Sequence, residues 1–381
     1  MLEMITAGAK KAPVVVGNIA SVGAGQQDVA VLTTTDNVYA IGTANFTGNG
    51  SPSGNWVKVT DNVAQMATAF RAVFLMKKDG TFWFVGNNNY FPLGLSTTVL
   101  TNVTSYFSSL LAGKTVKKIA LTHTTLGVLC TDGTVILSGT NVNGGCGVGN
   151  TTAQKVPAIL SSITDAIDIG FDNYTADTTY ILRQGGLVYG AGNSDFGQLG
   201  NLSTNTTSFR QITPTTNILK IVPASSGIFM FLRNSTNGIG NIAIMGRQFG
   251  GSLGTGAGAN TNYTTLTNVV TVPASSPDPQ IFTGAYHARY WVDNTKPYYT
   301  GTSGNLVGCG ALFNNTTRYS FTAQPVSSFP WESYDATKTN YNNSFVVSGG
   351  KLYGAGSESS VLAGTTGNQP TFTLLNTDAV K

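Results

Sequence analysis

The stretch Gly186-Leu-Val-Tyr-Gly-Ala-Gly-Asn-Ser-Asp-Phe-Gly-Gln-Leu-Gly200 decides how this chain is read. A short β-rich run, VYGAG (188–192), closes on a glycine and passes into a Gly/Asn-rich turn. The same arrangement recurs at VYAIG (38–42), FWFVG (82–86), VILSG (135–139), IAIMG (242–246), PYYTG (297–301) and LYGAG (352–356). The closing glycines, Gly42, Gly86, Gly139, Gly192, Gly246, Gly301 and Gly356, are spaced 44, 53, 53, 54, 55 and 55 residues apart. Seven units of this pitch fill the 381 residues and leave no room for a second domain.

Four apolar segments make up each unit. IASVGAG (19–25) and VAVLTT (29–34) precede VYAIG, and WVKVT (56–60) follows it. Later units keep the order, as in KKIALTH, LGVLCT, VILSG and KVPAIL. The segments have strand lengths, are rich in Val, Ile, Phe and Tyr, and are bounded by turn residues. KDG (78–80) and TDG (131–133) place a glycine with positive φ between strands, as a tight hairpin needs. Four antiparallel strands repeated radially make a propeller blade. The expected fold is therefore all-β: a seven-bladed β-propeller of four-stranded antiparallel blades over residues 13–381, preceded by a tail at 1–12. The N-terminal segment PVVV (13–16) and the C-terminal strand PTFTLL (370–375) are expected to pair and latch the ring.

The repeat resembles that of the regulator-of-chromosome-condensation family. Residues 186–200 carry the full motif, and GTFWFVGNNNYFPLG (80–94), GTVILSGTNVNGGCG (133–147) and GGKLYGAGSESSVLAG (349–364) are looser copies. The resemblance implies a seven-bladed propeller. The family's founding activity is nucleotide exchange on a small GTPase with chromatin binding. It depends on charged faces and flexible basic ends, which this chain lacks, so that activity is not carried over. Seven residues after the closing glycine stand Leu93, Cys146, Leu199 and Leu253, so Cys146 takes a leucine's place and is expected to pack as a small buried hydrophobe. Cys130, inside LGVLCT, reads the same way, and Cys309 falls one residue off the pattern.

Composition narrows the function. Lys and Arg number 21 against 17 Asp and Glu, a net +4, and charged residues are only 10% of the chain. Thr (53), Asn (33) and Gly (46) supply the polarity instead. So weak a charge does not suit a nucleic-acid binder. No apolar run reaches membrane-span length, so membrane insertion is not expected. The start, MLEMITAGAKK, does not read as an ordinary signal peptide, and three cysteines do not form a disulfide framework.

Motifs that could carry chemistry dissolve on inspection. His123 and His287 have no carboxylate or cysteine at ligand spacing and read as rim or core residues. Gly250-Gly-Ser252-Leu-Gly254 aligns with Phe-Gly-Gln-Leu-Gly of the fourth unit and is a repeat turn, not a nucleophile elbow. Gly113-Lys114-Thr115 lacks the phosphate-loop glycine, because Ser108 stands there. Lys114, Lys117 and Lys118 read as a solvated basic spot, and Asp165, Asp168 and Asp172 are too few for a calcium site. Neither a cofactor nor a metal is expected, and no enzyme activity.

The remaining clue is the surface. Runs such as NLSTNTTSF and TNYTTLTN present amides, hydroxyls and rings without charge, which suits contact with carbohydrates and cell surfaces. The expected function is a non-enzymatic virion component, a phage tail or capsid-surface propeller made in the host cytoplasm. Its partners would be other virion proteins and a host-surface glycan or protein. The alternative is a soluble, cytoplasmic protein-binding propeller of inhibitor or scaffold type, and the third reading is a propeller enzyme. Candidate recognition residues are Asn89, Tyr90 and Phe91, with Phe329, Trp331, Tyr334 and Tyr341 in the sixth unit. Tyr290 with Trp291 in ARYWVDN is a third candidate, with the core as the favoured place for both.

Overall fold

The computed structural model describes residues 18–375 except 26–27, 87–92, 173–176, 201–203, 215, 237, 259, 274–278, 284–286, 292–296, 302–316, 324–335, 340–342 and 357–368. Those residues form four-stranded antiparallel sheets, seven in number, each from one contiguous stretch with its strands in chain order. The first sheet holds β1 (Ile19–Ala24), β2 (Val29–Thr33), β3 (Val38–Gly42) and β4 (Ser53–Thr60). The second holds β5 (Val63–Ala69), β6 (Ala72–Lys77), β7 (Phe82–Gly86) and β8 (Thr97–Asn102). The third holds β9 (Val116–Leu121), β10 (Thr125–Cys130), β11 (Val135–Gly139) and β12 (Gln154–Ile159). The fourth holds β13 (Ala166–Phe171), β14 (Thr178–Arg183), β15 (Val188–Gly192) and β16 (Thr206–Gln211). The fifth holds β17 (Ile218–Ala224), β18 (Gly227–Arg233), β19 (Ile239–Gln248) and β20 (Thr261–Thr271). The sixth holds β21 (Gln280–Thr283), β22 (His287–Trp291), β23 (Pro297–Gly301) and β24 (Arg318–Ala323). The last holds β25 (Ala336–Thr339), β26 (Asn343–Ser348), β27 (Lys351–Gly356) and β28 (Gln369–Leu374).

Burial follows strand position. All residues of β3, β10 and β11 are buried, because sheets stacked face to face cover both sides of their middle strands. Fourth strands such as β16 and β20 alternate toward solvent and are rich in Thr. The closing glycine ends the third strand for two reasons. Gly192 has φ 111°, and a Cβ there would lie 2.0 Å from the Asp177 carbonyl oxygen. Gly80 and Gly133 take positive φ in their hairpins, as KDG and TDG require. Opposite the residue before the closing glycine, every fourth strand carries two extra residues: Gly190 pairs with Arg210, yet Gly192 pairs with Thr206. The same skip recurs in the other six sheets. Such bulges bend an edge strand and sharpen its twist.

Along the inner edges, the first strand of each sheet lies beside the first strand of the next, from β1 beside β5 through to β21 beside β25, and β25 lies beside β1. Ile19, Val22, Val29 and Tyr39 of the first sheet share one core with Phe345, Val347 and Leu352 of the last. The Ile19 N–H donates to the Gly350 carbonyl at 3.0 Å. The described ends thus meet through sheet faces. The expected latch cannot be placed, because residues 13–16 lie outside the described residues.

Inner edges would expose unpaired backbone groups, and side chains of the adjoining strand satisfy them. Gln65 on β5 accepts from the Ile119 N–H at 3.0 Å and donates to the Lys117 carbonyl at 3.3 Å. Lys117 reaches the Ile167 carbonyl at 2.6 Å, and Lys118 reaches the Asp168 carboxylate and Ile169 carbonyl, each at 2.7 Å. Lys114 pairs with Asp132 at 2.6 Å. These lysines lie at the surface, Lys117 exposed and Lys118 42% exposed, and each also reaches an acceptor on a neighbouring strand or hairpin.

Candidate protein-binding face

The hairpin between first and second strands and the turn after the third strand emerge at the same end of each sheet. Antiparallel pairing requires this, as where Ala72 at the start of β6 faces Gly86 at the end of β7. That end carries the described repeat turns.

The turns of the third, fourth and fifth sheets are held from inside, so their outer residues sit on a fixed frame. In the fourth sheet Gln198 is buried and donates to Asn193 Oδ1 at 2.8 Å, while its Oε1 accepts from the Phe196 N–H at 2.8 Å. In the third, buried Asn141 donates to the Asn150 and Thr152 carbonyls at 2.9 and 2.8 Å and accepts from the Cys146 N–H at 2.9 Å. In the fifth, buried Gln248 accepts from the N–H and hydroxyl of Thr255 at 2.8 and 2.6 Å and donates to the Ala257 carbonyl. Turns also reach across to the next sheet: Asn49 bridges Val99, Val148 bridges Ser208, and Thr255 bridges Ser320.

Carboxylates on this face serve as pins. Asp177 accepts from the N–H groups of Asn143, at 2.9 Å, and Gly145, and from the Thr125 hydroxyl at 3.4 Å; burial nonetheless pushes its pKa up. Asp172 accepts from the Ser226 N–H of the next sheet at 2.7 Å. Away from this face, Asp165 pairs with Arg183 at the far end of the fourth sheet and Asp168 pairs with Lys118, so the three aspartates of the 163–172 stretch point to three separate partners. Cys146 is fully buried, its thiol pushed up to about 12 by burial and the nearby Asp177. Cys130 is buried too, with a raised pKa from burial. Both thiols pack as small hydrophobes, as the repeat position indicated. Ser252 is buried inside a repeat turn beside Leu253.

Two Arg–aromatic clusters lie half-buried at this end, with Arg71 exposed. At the tips of the inner hairpins Phe70 stacks on His123 with ring centroids 5.2 Å apart, and Arg71 lies 5.5 Å from the Phe70 centroid. Farther out, Arg247 lies 4.6 Å from the Phe196 centroid and 5.1 Å from that of Phe249. Each cluster bridges two neighbouring sheets. Val142, in the third turn, is 62% exposed. Where the fourth and fifth sheets adjoin, an uncharged cleft of about 460 Å³ lies between Gln211–Pro214 on one side and Met245 with Thr264–Leu266 on the other.

All seven candidate recognition residues, Asn89, Tyr90, Phe91, Phe329, Trp331, Tyr334 and Tyr341, lie outside the described residues, as does Cys309. His287, Tyr290 and Trp291 fall in β22, where these three are described in their backbone only. The residues that the sequence reading passed over are Phe70, Phe196, Arg247 and Phe249. One signal was available, since Phe196 sits inside the quoted motif, three residues before the buried Leu199.

No family model and no curated protein matches the chain. Solved structures do. Prp20p from Saccharomyces cerevisiae, studied with its binding to Gsp1p and histones, aligns at TM-score 0.73 and 14% identity over 96% of this chain and 88% of that one. Yeast RCC1 (Prp20), with Kap60 bound to it, aligns at 0.73 and 14% over 99% and 90%. Human WBSCR16 aligns at 0.68 and 15% over 88% and 90%. At such identities the likeness speaks to fold alone, and the fold is an RCC1-like β-propeller of four-stranded antiparallel blades.

Proposed function

We propose that this chain is a non-enzymatic protein-binding module, its sheets forming the seven blades of one ring over residues 13–381. The observation that carries the reading is the repeat-turn face, where inner hairpins carry the Phe70–Arg71–His123 cluster and braced turns carry the Arg247 cluster and Val142. Arginine and aromatic residues dominate binding energy at protein interfaces, and a rigid frame lowers the ordering cost of association. Solved neighbours of the same fold, by their own descriptions, bind Gsp1p, histones and Kap60. The test is affinity purification of the tagged full chain beside Val142→Asp, a change at a 62% exposed position that leaves packing alone. A stoichiometric partner retained by the wild type and lost by V142D is expected; absence of any such partner overturns the reading.

A second reading rests on the surface of β20, TNYTTLTNVVT, eleven residues without charge. It is the virion component, docked on a tail or capsid and touching host glycan or protein. Mass spectrometry of purified particles tests it: absence of the chain from them sinks it.

A further inference from the structure

Arg183 shows how this chain treats a ring-stacked arginine whose partner is its own. The guanidinium lies 4.7 Å from the Tyr189 centroid, and Nε donates to Asp165 Oδ1 at 2.6 Å. Arg247 has the ring contact twice, with Phe196 and Phe249, and its Nη2 donates to the neutral Asn260 Oδ1 at 3.0 Å. Among the described residues no carboxylate pairs with it, since the ion pairs there use Lys58, Lys78, Lys114, Lys118 and Arg183. Asp195, in the adjoining turn, is bonded to Asn193 Nδ2 at 2.8 Å.

We propose that Arg247, braced by Phe196 and Phe249 where the fourth and fifth sheets meet, anchors a carboxylate from an acidic segment of a protein partner. The proposal rests on the protein-binding reading and names the chemistry of the partner. A guanidinium offers five donors in a planar fork that matches a carboxylate, and two rings hold that fork in place before the partner arrives. The net charge of +4 favours an acidic partner. Phosphate fits the same fork, but a nucleic-acid backbone needs several cations in line, and the turn beside Arg247, Asn193–Gly200, contains none.

The test measures fluorescence anisotropy of a short labelled peptide of alternating Glu and Gly with the full chain at low salt. A Gln/Gly peptide and a single-stranded oligonucleotide of equal charge are the comparisons. The wild type is expected to bind the Glu peptide and not the Gln peptide. Arg247→Ala weakens that binding by about tenfold or more. Arg247→Lys restores only part of it, because an ammonium lacks the fork. The double change Phe196→Leu with Phe249→Leu keeps the charge and frees it, and is expected to cost several-fold. Absent binding, equal binding by wild type and R247A, or tighter Arg247-dependent binding of the oligonucleotide overturns the proposal. Should R247A retain the affinity-purified partner as well as the wild type does, the acidic anchor falls while protein binding stands. Should R247A misfold, the double leucine variant decides.

Discussion

The Asp177 carboxylate, between β13 and β14, accepts the backbone N–H of Asn143 in the turn of the preceding sheet at 2.9 Å. One buried side chain thus joins the third and fourth sheets at their turn end, beside the Lys117 and Lys118 links along their inner strands. Asp177→Ala leaves the donors of Asn143 and Gly145 without this acceptor, at a cost of about 1–3 kcal/mol, read from denaturant unfolding. Burial raises the Asp177 pKa above its ordinary 3.8. The folded chain therefore holds that proton more tightly than the unfolded chain does. The group's contribution is fully present below pH 3.8 and is lost as pH rises through the folded value. The stability gap between wild type and D177A should accordingly narrow from the acid side of that window toward neutrality, and a gap that widens would refute the assignment.

Gly192 and Gly185 separate backbone strain from crowding. Both have positive φ, 111° and 82°, but a Cβ at Gly192 meets the Asp177 carbonyl at 2.0 Å, whereas none is met within 4 Å at Gly185. Gly185→Ala should cost about 1 kcal/mol and Gly192→Ala more than about 3 kcal/mol. Equal melting temperatures for the two variants would contradict this account of the closing glycine.

Side-chain links between inner strands differ in worth. Gln65→Leu removes an acceptor from Ile119 and a donor from Lys117 and should cost about 1–2 kcal/mol. Lys118 and Asp168 are 42% and 26% exposed, so a double-mutant cycle should give a coupling of about 1 kcal/mol or less, shrinking as salt is added. A larger, salt-insensitive coupling would show that this edge is drier than its exposure indicates.

Cysteine reactivity reports on closure of the turns. With Cys146 raised to about 12 by burial and Cys130 raised as well, thiolate is scarce and access is blocked at both. Site-resolved labelling with iodoacetamide in the native state should leave both unmodified over hours and modify both once the chain is unfolded. Rapid native labelling of Cys146 would mean that the third turn opens.

Much of this architecture is local and so was open to reading from residues alone. Strand periodicity, hairpin glycines and the leucine-equivalent position of Cys146 all depend on neighbours a few residues away. The bulge in each fourth strand was not visible, since it appears only when register is counted against the third strand. Aromatic content, as at Tyr90 or Trp331, says nothing about which face displays a residue. The Arg247 cluster was missed for the converse reason: Phe196 and Arg247 belong to different repeats.

The sequence by itself determined the repeat, its pitch, the strand-rich units and the burial of Leu199 and Cys146, because each follows from short-range sterics and apolar patterning. Only the tertiary structure decided which side chains complete a neighbouring sheet's edge, which aspartates pin turns, and which arginine meets two rings. Those outcomes depend on distances between sheets, and such distances are set when separate apolar faces pack together, not by the order of residues within any one of them.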